Sequence, residues 1–98
     1  MFYLGIDVAK AKIDCCLILE NSANKKKTKT FSNTPKGFEQ LQIWLNQHAA
    51  TSTQTIILME ATSIYHELLA KYLFDEGYQV SVTNPARARY FAQSMSKL

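Results

Sequence analysis

The chain has 98 residues, 47% of them apolar and 19% charged, which is enough for one domain with a single core and argues against disorder. Eleven Lys and Arg against eight Asp and Glu leave a formal charge of +3, mildly basic and by itself no proof of a polyanionic partner. No stretch approaches the roughly 20 apolar residues of a membrane span, and the first residues lack the pattern of a secretion signal.

In chain order, residues 2–7 (FYLGID) are apolar, β-prone and end in a carboxylate. Residues 13–19 (IDCCLIL) follow after the short link Val8 to Lys12. Asn21, Ser22 and Asn24 are turn formers, and residues 26–32 then read as a third strand. Such short connections predict an antiparallel meander, because parallel neighbours need long crossovers. Lys25, Lys26, Lys27 and Lys29 form a cluster with two readings, a solvated hairpin tip or a phosphate contact. Cys15 and Cys16 are adjacent on a strand and point to opposite faces, so they are read as small thiols in a reducing cytoplasm.

Thr34 is a candidate helix N-cap with Pro35 at the first helical position. Phe38, Leu41, Trp44, Leu45 and His48 recur at helical spacing and predict one inward face. Residues 55–59 (TIILM) are almost continuously apolar, suiting a strand covered on both faces and ended by Glu60. A second helix is expected with Ile64, Tyr65, Leu68, Leu69, Tyr72 and Leu73 on one side and Gly77 as its stop. Ser63 is a candidate cap for it. Residues 78–83 alternate as a half-buried strand, and Asn84-Pro85 start a third helix that is unfinished at Leu98.

The order βββαβαβα, with right-handed crossovers between the later strands, predicts a mixed five-stranded sheet of order 3-2-1-4-5 with helices packed on it. This is the ribonuclease H-like, RuvC-like arrangement. In it strands 1 and 4 lie parallel, and Asp7 and Glu60 leave the sheet at the same edge, where open α/β sheets hold their ligands. Two neighbouring carboxylates suit a hard cation such as Mg²⁺, or serve only to cap the turns that follow. Lys10 and Lys12 share that edge and are candidates for phosphate contact or for plain solvent exposure. Asp14, on the second strand, is free to point away from Asp7 and is read as structural. Arg87 and Arg89 fall in the first turns of the third helix, where a cation opposes the helix dipole and favours a partner anion.

Gly5-Ile6-Asp7-Val8-Ala9-Lys10 with Asp14, Phe31-Ser32-Asn33 with Gly37-Phe38, Met59-Glu60-Ala61-Thr62 with Tyr65, and Asn84-Pro85-Ala86-Arg87 with Phe91-Ala92 resemble one family. It is the N-terminal domain of the DEDD insertion-sequence transposases of the IS-one-ten type. The resemblance covers residue 2 to the end and departs from the family pattern at Ser63, where Gly is usual. It implies Asp7 and Glu60 as the first two acids of a four-acid metal site. It also implies Mg²⁺, or Mn²⁺ in its place, and DNA strand cleavage and exchange at insertion-sequence ends.

Residues 1–98 are thus expected to be the N-terminal part of the catalytic domain. They would stop before the last two acids and be inactive alone. Expected partners of the parent protein are element-end and target DNA, a guide RNA and further copies of itself, with no membrane. Its expected place is the cytoplasm of a bacterium or archaeon. A non-catalytic nucleic-acid-binding or assembly module with a degenerate site is the alternative. A phosphotransferase of the actin and sugar-kinase type is disfavoured, because Val8, Ala9 and Lys10 stand where a phosphate loop wants glycine.

Overall fold

A computed structural model of the chain describes residues 1–19, 25–60 and 64–83. The expected turn at Asn21 to Asn24, the cap at Ser63 and the third helix with Arg87 and Arg89 lie outside the described residues.

Five strands form one sheet of order β3-β2-β1-β4-β5. They are β1 (Phe2–Val8), β2 (Lys12–Leu19), β3 (Lys26–Ser32), β4 (Thr55–Glu60) and β5 (Gln79–Thr83). The first three are antiparallel neighbours, whereas β1 and β4, and β4 and β5, pair in parallel. The two helices are α1 (Pro35–Gln47) and α2 (Glu67–Asp75). This is the ribonuclease H-like architecture that the alternation of short links and helical crossovers predicts.

Side chains on a strand alternate between faces, and here the alternation is clean. Leu4, Ile6 and Val8 of β1 are buried, as are Ile13, Cys15 and Leu17 of β2 and Ile57 and Met59 of β4. They join Phe38, Leu41, Trp44 and Leu45 of α1 and Leu69 and Leu73 of α2 in one core, so both helices cover the same face. Phe38 and Tyr72 pack ring against ring at 5.5 Å where the helices meet. The opposite face carries Tyr3, Gly5 and Asp7 on β1, Asp14, Cys16 and Ile18 on β2, and Ile56, Leu58 and Glu60 on β4, all half-buried or exposed. The β4 run TIILM is therefore fully covered on one side only, contrary to the two-sided burial its composition predicts.

The local chemistry explains the helix ends. Thr34 is extended (φ −143°, ψ 161°) and its hydroxyl accepts from the Gly37 amide at 3.1 Å, with Pro35 in the first turn. A Cβ on Gly37 would lie 1.8 Å from the Ser32 carbonyl oxygen, so the start of α1 sits against the end of β3 only because residue 37 has none. Gly77 ends α2 at φ 90°, and the Tyr78 amide returns to the Leu73 carbonyl at 3.0 Å. α1 closes the same way, with the Ala50 amide on Leu45 at 2.9 Å, yet the left-handed position at φ 60° is Ala49. Tyr78 joins the two loops. Its hydroxyl donates to the Ala50 carbonyl at 3.1 Å and accepts from Gln42 Nε2 at 3.0 Å. Burial pushes that hydroxyl above the ordinary phenol pKa and keeps it protonated as a donor.

The second helix departs from expectation. It opens with a 3₁₀ turn, Ile64–His66, and only nine residues are α-helical. A 3₁₀ turn has three residues per turn, so Ile64 and Tyr65 fall off the stripe that Leu69 and Leu73 carry. Ile64 is 71% and Leu68 72% exposed.

Two substitutions test these loops by denaturant unfolding. Gly37→Ala is expected to destabilise by about 2 kcal/mol through overpacking, although Ala outranks Gly by about 1 kcal/mol in an unconstrained helix. Ala49→Gly is expected to stabilise by about 0.5–1 kcal/mol by removing left-handed strain; an unchanged midpoint would show that the strain is absent.

Candidate active site

Register, more than proximity along the chain, builds the site. Asp7 is the Cα partner of Asp14 across β1–β2 and of Glu60 across β1–β4. Asp14 in turn pairs with Thr30, and Glu60 with Thr83. Directly paired residues project from the same face, so Thr30, Asp14, Asp7, Glu60 and Thr83 form one polar row across all five strands. The row lies on the face that the two helices do not cover. Adjacent strands are about 4.8 Å apart, which makes Asp7 and Glu60 immediate neighbours. Asp7 is exposed and Glu60 half-buried.

Asp14 does not point away from Asp7, as its position on the second strand allowed; the hairpin register sets it on the same face. It is also the most tethered acid of the row. Thr30 Oγ1 donates to Asp14 Oδ1 at 2.6 Å, and Lys12 Nζ stands 3.8 Å from Oδ2. Both partners of that ion pair are about half exposed or more, so it contributes little to stability. Lys12 is thereby turned toward the acid row, while Lys10 stays exposed in the β1–β2 turn. On the other face of β2, Cys15 is buried. Burial first, with the Asp14 and Cys16 charges adding to it, pushes its thiol up to about 12, which makes it an inert core residue.

One residue that the sequence marks only as part of a family-like segment, with no role assigned, organises the edge. Asn33, between β3 and α1, donates its side-chain amide to the Ala9 carbonyl at 2.9 Å and to the Tyr65 carbonyl at 3.0 Å, with a longer contact of 3.5 Å to the Lys10 carbonyl. All three acceptors are carbonyls, which fixes the orientation of the amide. Its own backbone N–H reaches the Ala11 carbonyl at 3.0 Å. The turn that follows Asp7 and the 3₁₀ turn that follows Glu60 are thus tied to one side chain. No spacing rule reveals this, because the acceptors come from two distant segments.

The donor set suits a hard divalent cation, which takes one or two carboxylates and keeps several waters. Asp7 and Glu60 supply those carboxylates. Among the described residues no three His, Cys, Asp or Glu side chains cluster tightly enough to hold a metal ion, so they fit as part of a ligand set. His66 ends the 3₁₀ turn, half-buried, and Asp75 is engaged with Lys71 at 2.7 Å at the far end of α2.

Comparison with known proteins bears on this arrangement. A family model described as a transposase, of the DEDD type found in IS-one-ten elements, matches residues 4–97. Pilin gene-inverting proteins of Moraxella bovis and Moraxella lacunata are each 33% identical over 93 residues, covering 95% of this chain. The chain spans 28% of the length of those relatives. Among solved structures, an exopolyphosphatase from Cytophaga hutchinsonii superposes with a TM-score of 0.56 at 12% identity, over 89% of this chain and 35% of that one. The Pelota protein of Thermoplasma acidophilum gives 0.57 at 14%, over 99% and 33%. At such identities the likeness is one of fold alone. No helix among the described residues is long and apolar enough to cross a membrane.

The Asn33 tether has a measurable signature. Asn33→Ala is expected to cost about 0.5–1.5 kcal/mol, the net worth of hydrogen bonds whose exposed carbonyls water can take over. Amide exchange should accelerate at residues 9–12 and 64–66 while the centre of β4 stays protected. Uniform acceleration throughout the sheet would instead mean a global role.

Proposed function

The chain belongs to the DEDD transposases of the IS-one-ten type, and from that membership we propose that it contributes Asp7 and Glu60 to a metal-dependent site that cuts and rejoins DNA. The single observation that carries the reading is the register of β1 with β4, which makes these two acids neighbours on the face opposite α1 and α2. The printed name of the Moraxella relatives, gene-inverting, describes the same class of chemistry, breakage and rejoining of phosphodiesters. On this reading Asp7 and Glu60 are two of four acids, and catalysis is a property of the parent protein in which the set is complete.

When bound, Mg²⁺ would polarise the scissile phosphate and stabilise charge on the attacking and leaving oxygens. The protein's own groups have narrower tasks. Asp7 and Glu60 present carboxylate oxygens side by side toward the cation. Lys10 and Lys12, at the same edge, neutralise phosphate charge next to the reacting group; Arg87 and Arg89, outside the described residues, are further nucleic-acid contacts on the strength of the sequence alone. Asn33 holds the backbone after both acids. Gly5, exposed on the same face two residues before Asp7, has no described atom within 4 Å of where a Cβ would lie, which leaves room for a substrate backbone. In the parent protein the partners are the ends of the mobile element and its target, further copies that bring two ends together, and the guide RNA that the family resemblance implies. That work belongs in the cytoplasm, where the DNA is.

The row of acids predicts opposite effects on activity and stability. In the parent protein, Asp7→Asn and Glu60→Gln should each lower Mg²⁺-dependent cleavage of a plasmid carrying the element ends by on the order of 10³-fold, equivalent to several kcal/mol of charge stabilisation. In metal-free buffer, Asp7→Asn should raise the stability of the 98-residue chain by about 0.5 kcal/mol, because it relieves repulsion from Asp14 and Glu60. Full cleavage by both variants would remove these residues from the site and leave a non-catalytic nucleic-acid-binding module.

A further inference from the structure

The Lys cluster is not confined to a hairpin tip. β3 is an outer strand of the sheet and carries Lys26, Lys27 and Lys29, with Lys25 just before it, all exposed. Lys27 pairs with Leu17 and Lys29 with Cys15, two residues of the core face, so these two lysines lie on the side where α1 packs. There Lys29, Gln40, Trp44 and Gln47 line a shallow groove between β3 and α1. Lys36 is exposed one helical turn before Gln40, on the same stripe of α1.

Among the described residues no acid forms an ion pair with the cations of this strip; the pairs are Lys12 with Asp14 and Lys71 with Asp75. The one acid of α1, Glu39, stands three residues after Lys36 on the helix, and among the described residues no ion pair joins the two. Gln40 and Gln47 add neutral donors, the usual companions of Lys in phosphate contacts. The aromatic rings are closed to stacking. Phe31 and Trp44 are 5% and 6% exposed and pack edge to face at 5.6 Å, with Lys29 Nζ 5.6 Å from the Phe31 centroid. Single-stranded nucleic acid is held largely by bases stacked on aromatic side chains, and this strip offers no such platform. A duplex presents its phosphates without unstacking.

We propose that the β3–α1 edge is a docking strip for the phosphate backbone of duplex DNA, held by Lys27, Lys29, Lys36, Gln40 and Gln47. The inference rests on the DNA-cutting reading of the acid row and extends it in space. Thr30, which donates to Asp14 in that row, directly follows Lys29. Lys27 and Lys29 lie on the helix-covered face, opposite Asp7 and Glu60, so the strip would hold a duplex where it passes the β3 border of the sheet, beyond the acid row. Four strand steps from Lys29 to Lys25 cover about 13 Å, against roughly one phosphate charge per 1.7 Å of duplex axis.

The test is fluorescence anisotropy of a labelled 20-base-pair DNA duplex titrated with the 98-residue chain at several salt concentrations, without divalent ions. The triple substitution Lys27→Gln, Lys29→Gln and Lys36→Gln is expected to weaken binding roughly 10–100-fold and to make the plot of log K against log salt shallower by about 2–3. The corresponding triple Arg substitution should keep both. Unchanged affinity and slope in the Gln variant would overturn the proposal, as would failure of the unsubstituted chain to bind duplex at low salt. Stronger competition by single-stranded RNA or duplex RNA than by DNA would overturn it too. A Gln variant that keeps DNA affinity but dimerises would assign the lysines to protection of the strand edge. Binding is read here without cleavage, so loss of the Asp7 and Glu60 assignment leaves this result standing, and the reverse.

Discussion

The parallel pairing of β1 with β4 is the constraint on which the remaining structure turns. It aligns Asp7 with Glu60 residue for residue, and it is fixed by the same alternation that buries Leu4 and Ile6 beside Ile57 and Met59. A slip of β4 by one residue would turn Ile57 and Met59 out of the core and Glu60 into it. The apolar pattern therefore sets the position of the polar pair. Polar chemistry at this sheet edge is held in place by hydrocarbon packing on the opposite face.

That arrangement works against the fold locally. Three carboxylates in successive strands repel, and among the described residues Asp14 alone has partners, Thr30 and Lys12. The tolerance comes from elsewhere: the closely packed α1–β3 junction at Gly37, the Tyr78 bridge between the helix-end loops, and the Asn33 side chain across two turns. A sheet edge that carries unbalanced charge while the rest of the domain is conventionally packed fits a site that waits for a cation and a polyanion.

The sheet order was legible because the chain states it twice, in short links among the first three strands and in helical stretches between the later ones. Thr34, Pro35 and Gly77 mark helix ends by chemistry that acts within a few residues, and the structure has them there. The neighbouring ends of β1 and β4 were legible for the same reason. What remained hidden depends on register and on distant contacts. The face of Asp14 is decided by how the β1–β2 hairpin closes, which strand periodicity alone leaves open. The role of Asn33 depends on carbonyls more than twenty residues away in both directions. The short α2 and its exposed Leu68 follow from a 3₁₀ turn that an apolar stripe cannot distinguish from a full helix.

The central place of β1 also has a consequence in time. Of the five strands it is made first, and β2 and β3 can join it about thirty residues later. Its other side must wait until β4 has been made. At synthesis rates of roughly 5–20 residues per second this leaves an unpaired, largely apolar strand edge open for seconds. The lysines of β3 guard only the opposite border of the nascent sheet. A chain that stalls between the two halves is therefore most prone to aggregate along the border where its two acids later meet.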